Sequence, residues 1–495
     1  MKLYWHPYKY FPYEKELAVR EVQQLTGQTP ETTNDVVSLP ESAQADTLRK
    51  LAYFSYFGEE GVLVPTTQRL LETANDKPRT SRRQVTRYSS HGLHEYKGKF
   101  NPQVVRSLLN IFGPSRQPIQ VLDPFCGSGT TLVEAVHAGN QAFGFDINPM
   151  AVFISTAKLQ ALSADSDLLT QYATIIIARC RASDWLITTD EDERYAYLMN
   201  WFPATILVQM ETLRHVIAEQ AQDSAAIFLV LVSNLLRDYS LQEPADLRIR
   251  RRSSPFPTTS FLDAVEQSFH RFLCELRATQ AVLGRMPSIG RAMLHDIRQT
   301  VPNHELIESF DIAVTSPPYA TALPYIDTQR LSLVWLGLSQ AKAINSLEET
   351  LIGSREFRKS VQKQWIDRMQ NNIDDLPAPV VDFCNQLQNA LTNQDGFRRQ
   401  AVPTLLYRYF VDMKQVFVNV HGLLKQNGKF CLVVGHNQTT IGGVKYSFDT
   451  PALLEQVAIS VGWKAFELTQ LQAYQRFSLH SQNAINQESL IVLMK

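Results

Sequence analysis

Two short stretches of this 495-residue chain carry residue types able to do chemistry: VLDPFCGSGTT at 121–131 and TSPPY at 315–319. In the first, Val121 and Leu122 read as a strand that delivers Asp123 to the carboxyl edge of a sheet, where open α/β folds bind ligands. Gly127 and Gly129 lack a Cβ, so the backbone there can turn tightly and approach a ligand closely. Thr130 and Thr131 open the following helix. Asp146 lies 23 residues beyond Asp123 at the end of a second strand, a distance that suits a carboxylate accepting both hydroxyls of a ribose. The chain has no G-K-[ST], and Leu132 stands where a dinucleotide fingerprint needs its third glycine. Asp123 beside the glycines would repel a pyrophosphate and welcome the cationic sulfonium or ammonium of S-adenosylmethionine. Cys126 reads as a small packing residue and not as a nucleophile.

The second stretch ends the strand FDIAVT. Pro317 and Pro318 cannot continue a ladder, so the chain leaves the sheet with both φ angles fixed. Ser316 and the carbonyls around the prolines then face the ligand edge as acceptors, with the flat ring of Tyr319 beside them. An exocyclic amine on a nucleobase is a poor nucleophile, because its lone pair is delocalised into the ring. Two acceptors gripping its hydrogens orient the lone pair and stabilise the positive charge that grows on nitrogen during attack. An aromatic ring stacked on the base offsets part of the cost of extruding it from a duplex. Carbon-5 methylation of cytosine would need a cysteine nucleophile, usually in a Pro-Cys dipeptide, and the chain contains none.

The surrounding pattern is that of an α/β protein. Asn101-Pro102 opens a helix to Ile111, Ile119–Leu122 is a strand, Thr130–Ala138 a helix and Ala142–Ile147 a strand. The rhythm breaks over 156–290, where 204–220, 225–238 and 261–283 have helical periodicity. It returns at Phe310 and again at 407–424, a helix leading through KQNGK into the strand FCLVVG, then the helix PALLEQVAISVG and the last strand SLIVLMK. The expected division is an N-terminal extension at 1–89, core segments at 90–155, 291–340 and 405–495, and largely helical insertions at 156–290 and 341–404.

These residues resemble the amino-methylating DNA methyltransferases that use S-adenosylmethionine. DPFCGSGTT is similar to their cofactor motif and TSPPY to their catalytic motif, in the serine-first form most typical of the cytosine-N4 branch. The resemblance implies a Rossmann-like methyltransferase sheet with helices on both faces. It also implies cofactor contacts from Asp123, Pro124, Phe125, Cys126, Gly127, Ser128, Gly129, Thr130 and Thr131, and from Asp146 and Ile147. HEYKGKFNPQVV at 94–105 looks like the motif that meets the methionine end of the cofactor, through Tyr96, Lys99 and Phe100. Asp296 fits the acid beside the adenine ring, and LLKQNGKFCLVVGHN the strand backing the target pocket. Ser316, Pro317, Pro318 and Tyr319 would be catalytic. Many cytosine-N4 enzymes place the catalytic motif first; here the cofactor motif precedes it.

The formal net charge is −1, but the basic residues are clustered. Residues 77–106 hold eight lysines and arginines, among them Arg82, Arg83 and Arg87, against the single acid Glu95. Arg250, Arg251 and Arg252 form a second cluster, and Arg355, Arg358 and Lys359 belong to a third. Clusters next to or inside the insertions point to phosphate contact, with double-stranded DNA as partner. A restriction endonuclease or another defence protein is a further expected partner. Adenine-N6 transfer, RNA methylation and a catalytically silent subunit stay open as alternatives. The five cysteines are scattered, at 126, 180, 274, 384 and 431, which fits free thiols in a reducing compartment. His91 and His94 lack a third neighbouring ligand, so no metal is expected. The N-terminus has no apolar signal core, and the most apolar run, Ala225–Val232, is too short to span a bilayer. A cytoplasmic protein is expected.

Overall fold

The computed structural model describes residues 1–33, 36–59, 61–73, 84–115, 118–182, 193–246, 249–301, 303–320, 325–355, 359–472 and 487–495. Arg82, Arg83, Arg358 and the side chain of Lys359 lie outside the described residues.

Strands β1 (Lys2–Trp5), β2 (Glu31–Thr32), β3 (Val36–Ser38), β4 (Phe54–Glu59) and β5 (Val62–Pro65) form an antiparallel sheet in the order β2-β3-β1-β4-β5. The main sheet is built from β6 (Gln120–Asp123), β7 (Gln141–Asp146), β8 (Gly290–Leu294), β9 (Phe310–Thr315) and β10 (Leu424–Gly435). A hairpin of β11 (Asn437–Ile441) and β12 (Val444–Phe448) follows, and β13 (Lys464–Gln472) and β14 (Gln487–Met494) complete the main sheet. Its order is β13-β14-β10-β9-β6-β7-β8, with β14 antiparallel to both neighbours and the pairs from β10 to β8 parallel. This is the doubly wound α/β arrangement with one reversed strand inserted near an edge.

Alternation along the central strands shows why both faces are covered. Leu122, Ala313, Phe430, Leu432 and Val434 join one core with the helices Val402–Leu423 and Thr450–Ser460. Val121, Ile312, Val314, Cys431 and Val433 join another with the helices Pro102–Phe112 and Thr130–His137. Period two on strands buried on both sides gives this division. Leu17, Ala18 and Val22 of the helix Pro12–Thr26 share the second core, and Arg20 grips Glu467 of β13 with two 2.7 Å bonds. The N-terminal segment is therefore packed onto the main sheet. A third core joins the helices between β7 and β8 to Ile326, Leu331, Val334 and Trp335 of the helix after β9. There the stretch Ala204–Ser233 is long and apolar enough by composition to cross a membrane, and half of its apolar window is buried in the molecule.

Three elements depart from the sequence reading. Lys425–Lys429 is not a turn before the strand; it is an irregularity inside β10, where the register with β9 shifts between Leu424 and Lys429. Asn427 takes φ +63°, a conformation asparagine tolerates better than most residues. β8 and β13 sit at the two sheet edges, so their exposed positions blur the apolar pattern.

Candidate active site

β6 leads on one side to β7 and β8, and β9 leads on the other to β10, so the order reverses between β6 and β9. The crevice outside the carboxyl ends of those two strands is where such sheets take ligands. Both motifs end there. Asp123 closes β6 and Thr315 closes β9, and the Thr315 hydroxyl donates to Asp123 Oδ1 at 2.6 Å. The same oxygen accepts from the Phe125 amide at 3.0 Å. Burial pushes the Asp123 carboxyl up to about 6, against the lowering effect of Thr315, Thr131 and Phe125.

The glycine loop is held from the next strand. Asp146 accepts from the Gly127 amide at 2.9 Å through one oxygen and from the Asn148 amide at 2.8 Å through the other. Its surroundings push it up to about 6 as well, desolvation outweighing those two bonds. Gly127 and Gly129 take φ of +49° and +78°. A Cβ on Gly129 would stand 2.7 Å from the Ser155 Cβ, so the helix Pro149–Ser163 packs directly on the loop. A Cβ on Gly127 would meet the Tyr96 ring at 3.4 Å. The structure thus brings Tyr96, Asp123, Gly127 and Asp146 together. Cys126 is buried and burial pushes its thiol far up, which suits packing and not nucleophilic attack. Ser128, Thr130 and Thr131 are buried, with the Thr131 hydroxyl on the Val314 carbonyl at 3.3 Å. Phe125 packs against the first core, Phe100 against the second, and Pro124 is buried behind the loop. Ile147 is half-buried beside Asp146.

Two further expected cofactor residues have partners within the protein. The Lys99 ammonium bonds to the carbonyls of Thr86 and His91, and burial lowers it to about 7. Asp296, just past β8, is gripped by Arg298 through three contacts of 2.7–3.1 Å, and Arg298 also reaches Asp412 at 3.1 Å.

Beyond β9, Ser316 and Pro318 are half-buried and Pro317 is buried. The Tyr319 hydroxyl donates to Glu488 Oε1 at 2.7 Å. Glu488, the second residue of β14, is in register with Gly435, the last residue of β10. Next to it, His436 Nε2 lies 2.9 Å from the Ser489 hydroxyl. Only the polar start of an otherwise apolar strand, QESLIVLM, marks Glu488 in the sequence.

A buried hub behind the loop also escaped the sequence. Glu134 Oε2 takes Arg106 Nε at 2.8 Å and Nη2 at 2.7 Å, while Oε1 takes the Tyr88 hydroxyl at 2.8 Å and His91 Nε2 at 2.7 Å. His137 Nδ1 is 3.4 Å from the same oxygen. Burial alone would raise Glu134; the Arg106 charge, with His137 and His91, holds it well below the usual carboxylate range. His91, Glu134 and His137 place one ligand atom each within 4.8 Å of one another. With Arg106 already neutralising the carboxylate, a divalent cation there would be a buried excess of charge, so the cluster acts as a clamp tying residues 88–91 to the helices after β6 and before it.

The basic clusters separate by exposure. Arg87 is exposed and paired with Glu95. Arg106 is buried in the hub. Arg250 is 73% exposed, 3.9 Å from Asp246. Arg251 lies 4.5 Å over Trp201 and bonds to the Asn200 carbonyl at 2.6 Å. Arg252 spends its donors on backbone carbonyls of its own neighbourhood. Arg355 is exposed.

The sheet order, with the two motifs meeting at its switch point, is that of a Rossmann-like α/β fold. Residues 16–157, under a third of the chain, match the N6/N4 methyltransferase family model described as DNA methylase. The type II methyltransferase M.MvaI of Kocuria varians is 26% identical over 306 residues, which are 58% of this chain and 66% of that one. M.BsoBI of Geobacillus stearothermophilus, also a type II methyltransferase, is 24% identical over 392 residues, 70% and 74% of the two chains. A third, M.MjaII of Methanocaldococcus jannaschii, is 46% identical over 70 residues, 14% of this chain and 13% of that one. Together the fold, the motif geometry and these relatives support a DNA methyltransferase of the N4/N6 class.

Proposed function

We propose that this protein transfers a methyl group from S-adenosylmethionine to the exocyclic N4 amine of a cytosine flipped out of duplex DNA, as the modification enzyme of a restriction system. The observation that supports the reading is the Thr315–Asp123 hydrogen bond, which joins the strand end preceding Ser316 to the strand end preceding the glycine loop. The residues present fit the cofactor. Gly127 and Gly129 hold positive-φ turns that bring the loop backbone against Tyr96 and the helix Pro149–Ser163, and Asp123 and Asp146 are two carboxyls that gain from a cation and a ribose diol respectively. Tyr96 lies against Gly127, Phe125 and Ile147 are half-buried next to the loop and Asp146 in the chain, and Asp296 lies just past the neighbouring strand.

Bound there, S-adenosylmethionine supplies an electrophilic methyl on a positively charged sulfur. The rest is the work of this chain. The Ser316 hydroxyl oxygen and an adjacent backbone carbonyl accept the two amine hydrogens and aim the nitrogen lone pair. Tyr319, its hydroxyl tied to Glu488, offers its ring face to the base. As the nitrogen–carbon bond would form and the methyl–sulfur bond break, its electron pair returning to sulfur, the same acceptors would stabilise the positive nitrogen until its extra proton passes to solvent. No covalent enzyme adduct is required, which agrees with a Cys126 thiol that burial keeps protonated.

The serine-first motif favours cytosine-N4 over adenine-N6. The test is incubation with tritiated donor and either plasmid DNA or total RNA, followed by digestion to nucleosides. Label in N4-methylcytosine is expected. Label in N6-methyladenine moves the acceptor to adenine, and label confined to RNA rejects the DNA reading. Absence of label with the cofactor still bound indicates a silent subunit.

A further inference from the structure

Residues 249–260, IRRRSSPFPTTS, contain three arginines and no acid. The segment is mostly exposed, yet it is held by an unusual number of bonds. Arg252 donates to the carbonyls of Asp238 at 2.8 Å, Ser240 at 2.7 Å, Ser254 at 3.0 Å and Pro255 at 3.1 Å. Glu243 Oε2 accepts from the Ser253 and Ser254 amides at 3.0 and 3.1 Å and from the Ser253 hydroxyl at 3.1 Å. The two chain segments also pair as Glu243 N to Arg250 O and Arg252 N to Leu241 O, both 2.8 Å. At the far end the Tyr239 hydroxyl holds the Thr259 carbonyl at 2.8 Å, and Ser260 caps the helix Phe261–Leu283.

The product of this bracing is Phe256, 42% exposed between Pro255 and Pro257. The Arg252 guanidinium lies 4.4 Å over its ring, which fixes the side chain without hiding it. A preordered exposed aromatic loses little further entropy when a partner covers it. The flanking prolines lie beyond the short pairing of Gln242 with Arg251 and supply no amide to extend it. Arg250, six residues before it in the same loop, has a side chain 73% exposed. A chain of contacts links the loop to the motif segment: Asp238 and Ser240, which hold Arg252, follow Asn234, whose side chain accepts from the Glu95 amide at 2.9 Å. The next residue, Tyr96, lies against Gly127.

We infer that the braced loop Arg250–Pro257 is a DNA-contact element, with Phe256 wedged against base faces of the duplex and Arg250 on a phosphate. The inference rests on the duplex-DNA reading above and adds the surface that engages it. A basic residue beside an apolar wedge is the combination that binds a polyanion and offsets the cost of partly unstacking a base step.

The test uses the full chain and a fluorescein-labelled 30-base-pair mixed-sequence duplex, followed by anisotropy across a salt series. Phe256→Ala should weaken binding about tenfold or more, the range of one lost base–aromatic contact, with the salt slope unchanged. Arg250→Ala should reduce the slope by about one, the release of one phosphate contact. Both variants should bind S-adenosylhomocysteine as the wild type does, which separates a contact role from misfolding. Phe256→Ala binding the duplex like wild type overturns the inference while leaving the methyltransferase reading intact. An equal loss of S-adenosylhomocysteine binding overturns it too, since the loop would then be structural. A wild type that ignores the duplex refutes the DNA reading itself.

Discussion

Lowering the pH from 7 to 5 should weaken S-adenosylmethionine binding by about tenfold to a hundredfold, an effect ordinary carboxylates would not give. Asp123 and Asp146 each titrate at about 6 in the folded protein because burial disfavours their charged forms. A cationic ligand next to Asp123 binds the ionised form. At pH 5 a group with a pKa of about 6 is only about 9% ionised, so affinity falls about tenfold for each carboxylate that must lose a proton on binding. At the model-peptide value of 3.8 the same group would be about 94% ionised at pH 5, and binding would be flat. The ligand's own α-amino group, near 8, stays protonated throughout. The sign reverses for the unliganded fold. A carboxyl whose folded pKa is raised binds its proton more tightly when folded, so stability rises as pH falls from 7 through 6 and flattens below the unfolded value near 4. For buried Asp123 the difference is about 3 kcal/mol at pH 7. Calorimetric titration at constant ionic strength between pH 5 and 7 measures the first effect, with Asp146→Asn expected to reduce the slope of log Kd against pH by up to one. A flat Kd in the wild type over that interval would falsify the assignment of both acids to the cofactor.

Three further outcomes follow from named contacts. Glu134→Gln removes the counter-charge of buried Arg106 and should cost about 3–5 kcal/mol in urea unfolding, with much of the loss recovered by adding Arg106→Met. Gly129→Ala forces a Cβ at φ +78° and 2.7 Å from Ser155, costing about 1–2 kcal/mol for the backbone and about 1–3 for the overlap; Ser155→Gly should restore only the second part, read by thermal unfolding and cofactor affinity. Ser316→Ala should lower single-turnover methyl transfer at least about a hundredfold while cofactor affinity stays within about twofold, since it removes an acceptor that acts on the amine during transfer.

What was legible in the sequence were the elements buried on both faces and bounded by hard stops. β9 is apolar on both sides and ends at two prolines, and the helix after the loop starts at a glycine. The Asn-Pro cap at Asn101 works as read, its side chain accepting from the Gln103 amide at 3.0 Å. The N-terminal sheet was not legible, because strands of two to six residues leave too short a pattern to alternate visibly. The Glu134 hub could not be read either, since Tyr88, His91, Arg106 and His137 are scattered over 50 positions and meet only when three elements pack. Glu488 meets Tyr319 across 169 residues, a contact that depends on β14 being inserted antiparallel beside β10. Local pattern therefore located the two motifs, while the groups that brace them came from pairings of high sequence separation.

The positions of the insertions bear on how such an enzyme would select its target. The β7-to-β8 crossover leaves the sheet at Asp146 and returns at Gly290, and the β9-to-β10 crossover leaves at Thr315 and returns at Leu424. In a parallel sheet both departures are at the carboxyl edge, the side that holds Asp123, Ser316 and the glycine loop. Extra chain inserted there is anchored at its start beside the reacting groups and is free to grow outward, whereas chain added at the opposite edge would be a strand length away. The Asn148–Gln329 side-chain bond at 2.7 Å joins the beginnings of the two crossovers, just past β7 and β9. Ser332 of the second donates to the Ser233 carbonyl of the first at 3.3 Å. Two hydrogen bonds thus tie the β7-to-β8 crossover to the β9-to-β10 crossover on the side of the sheet where both leave it.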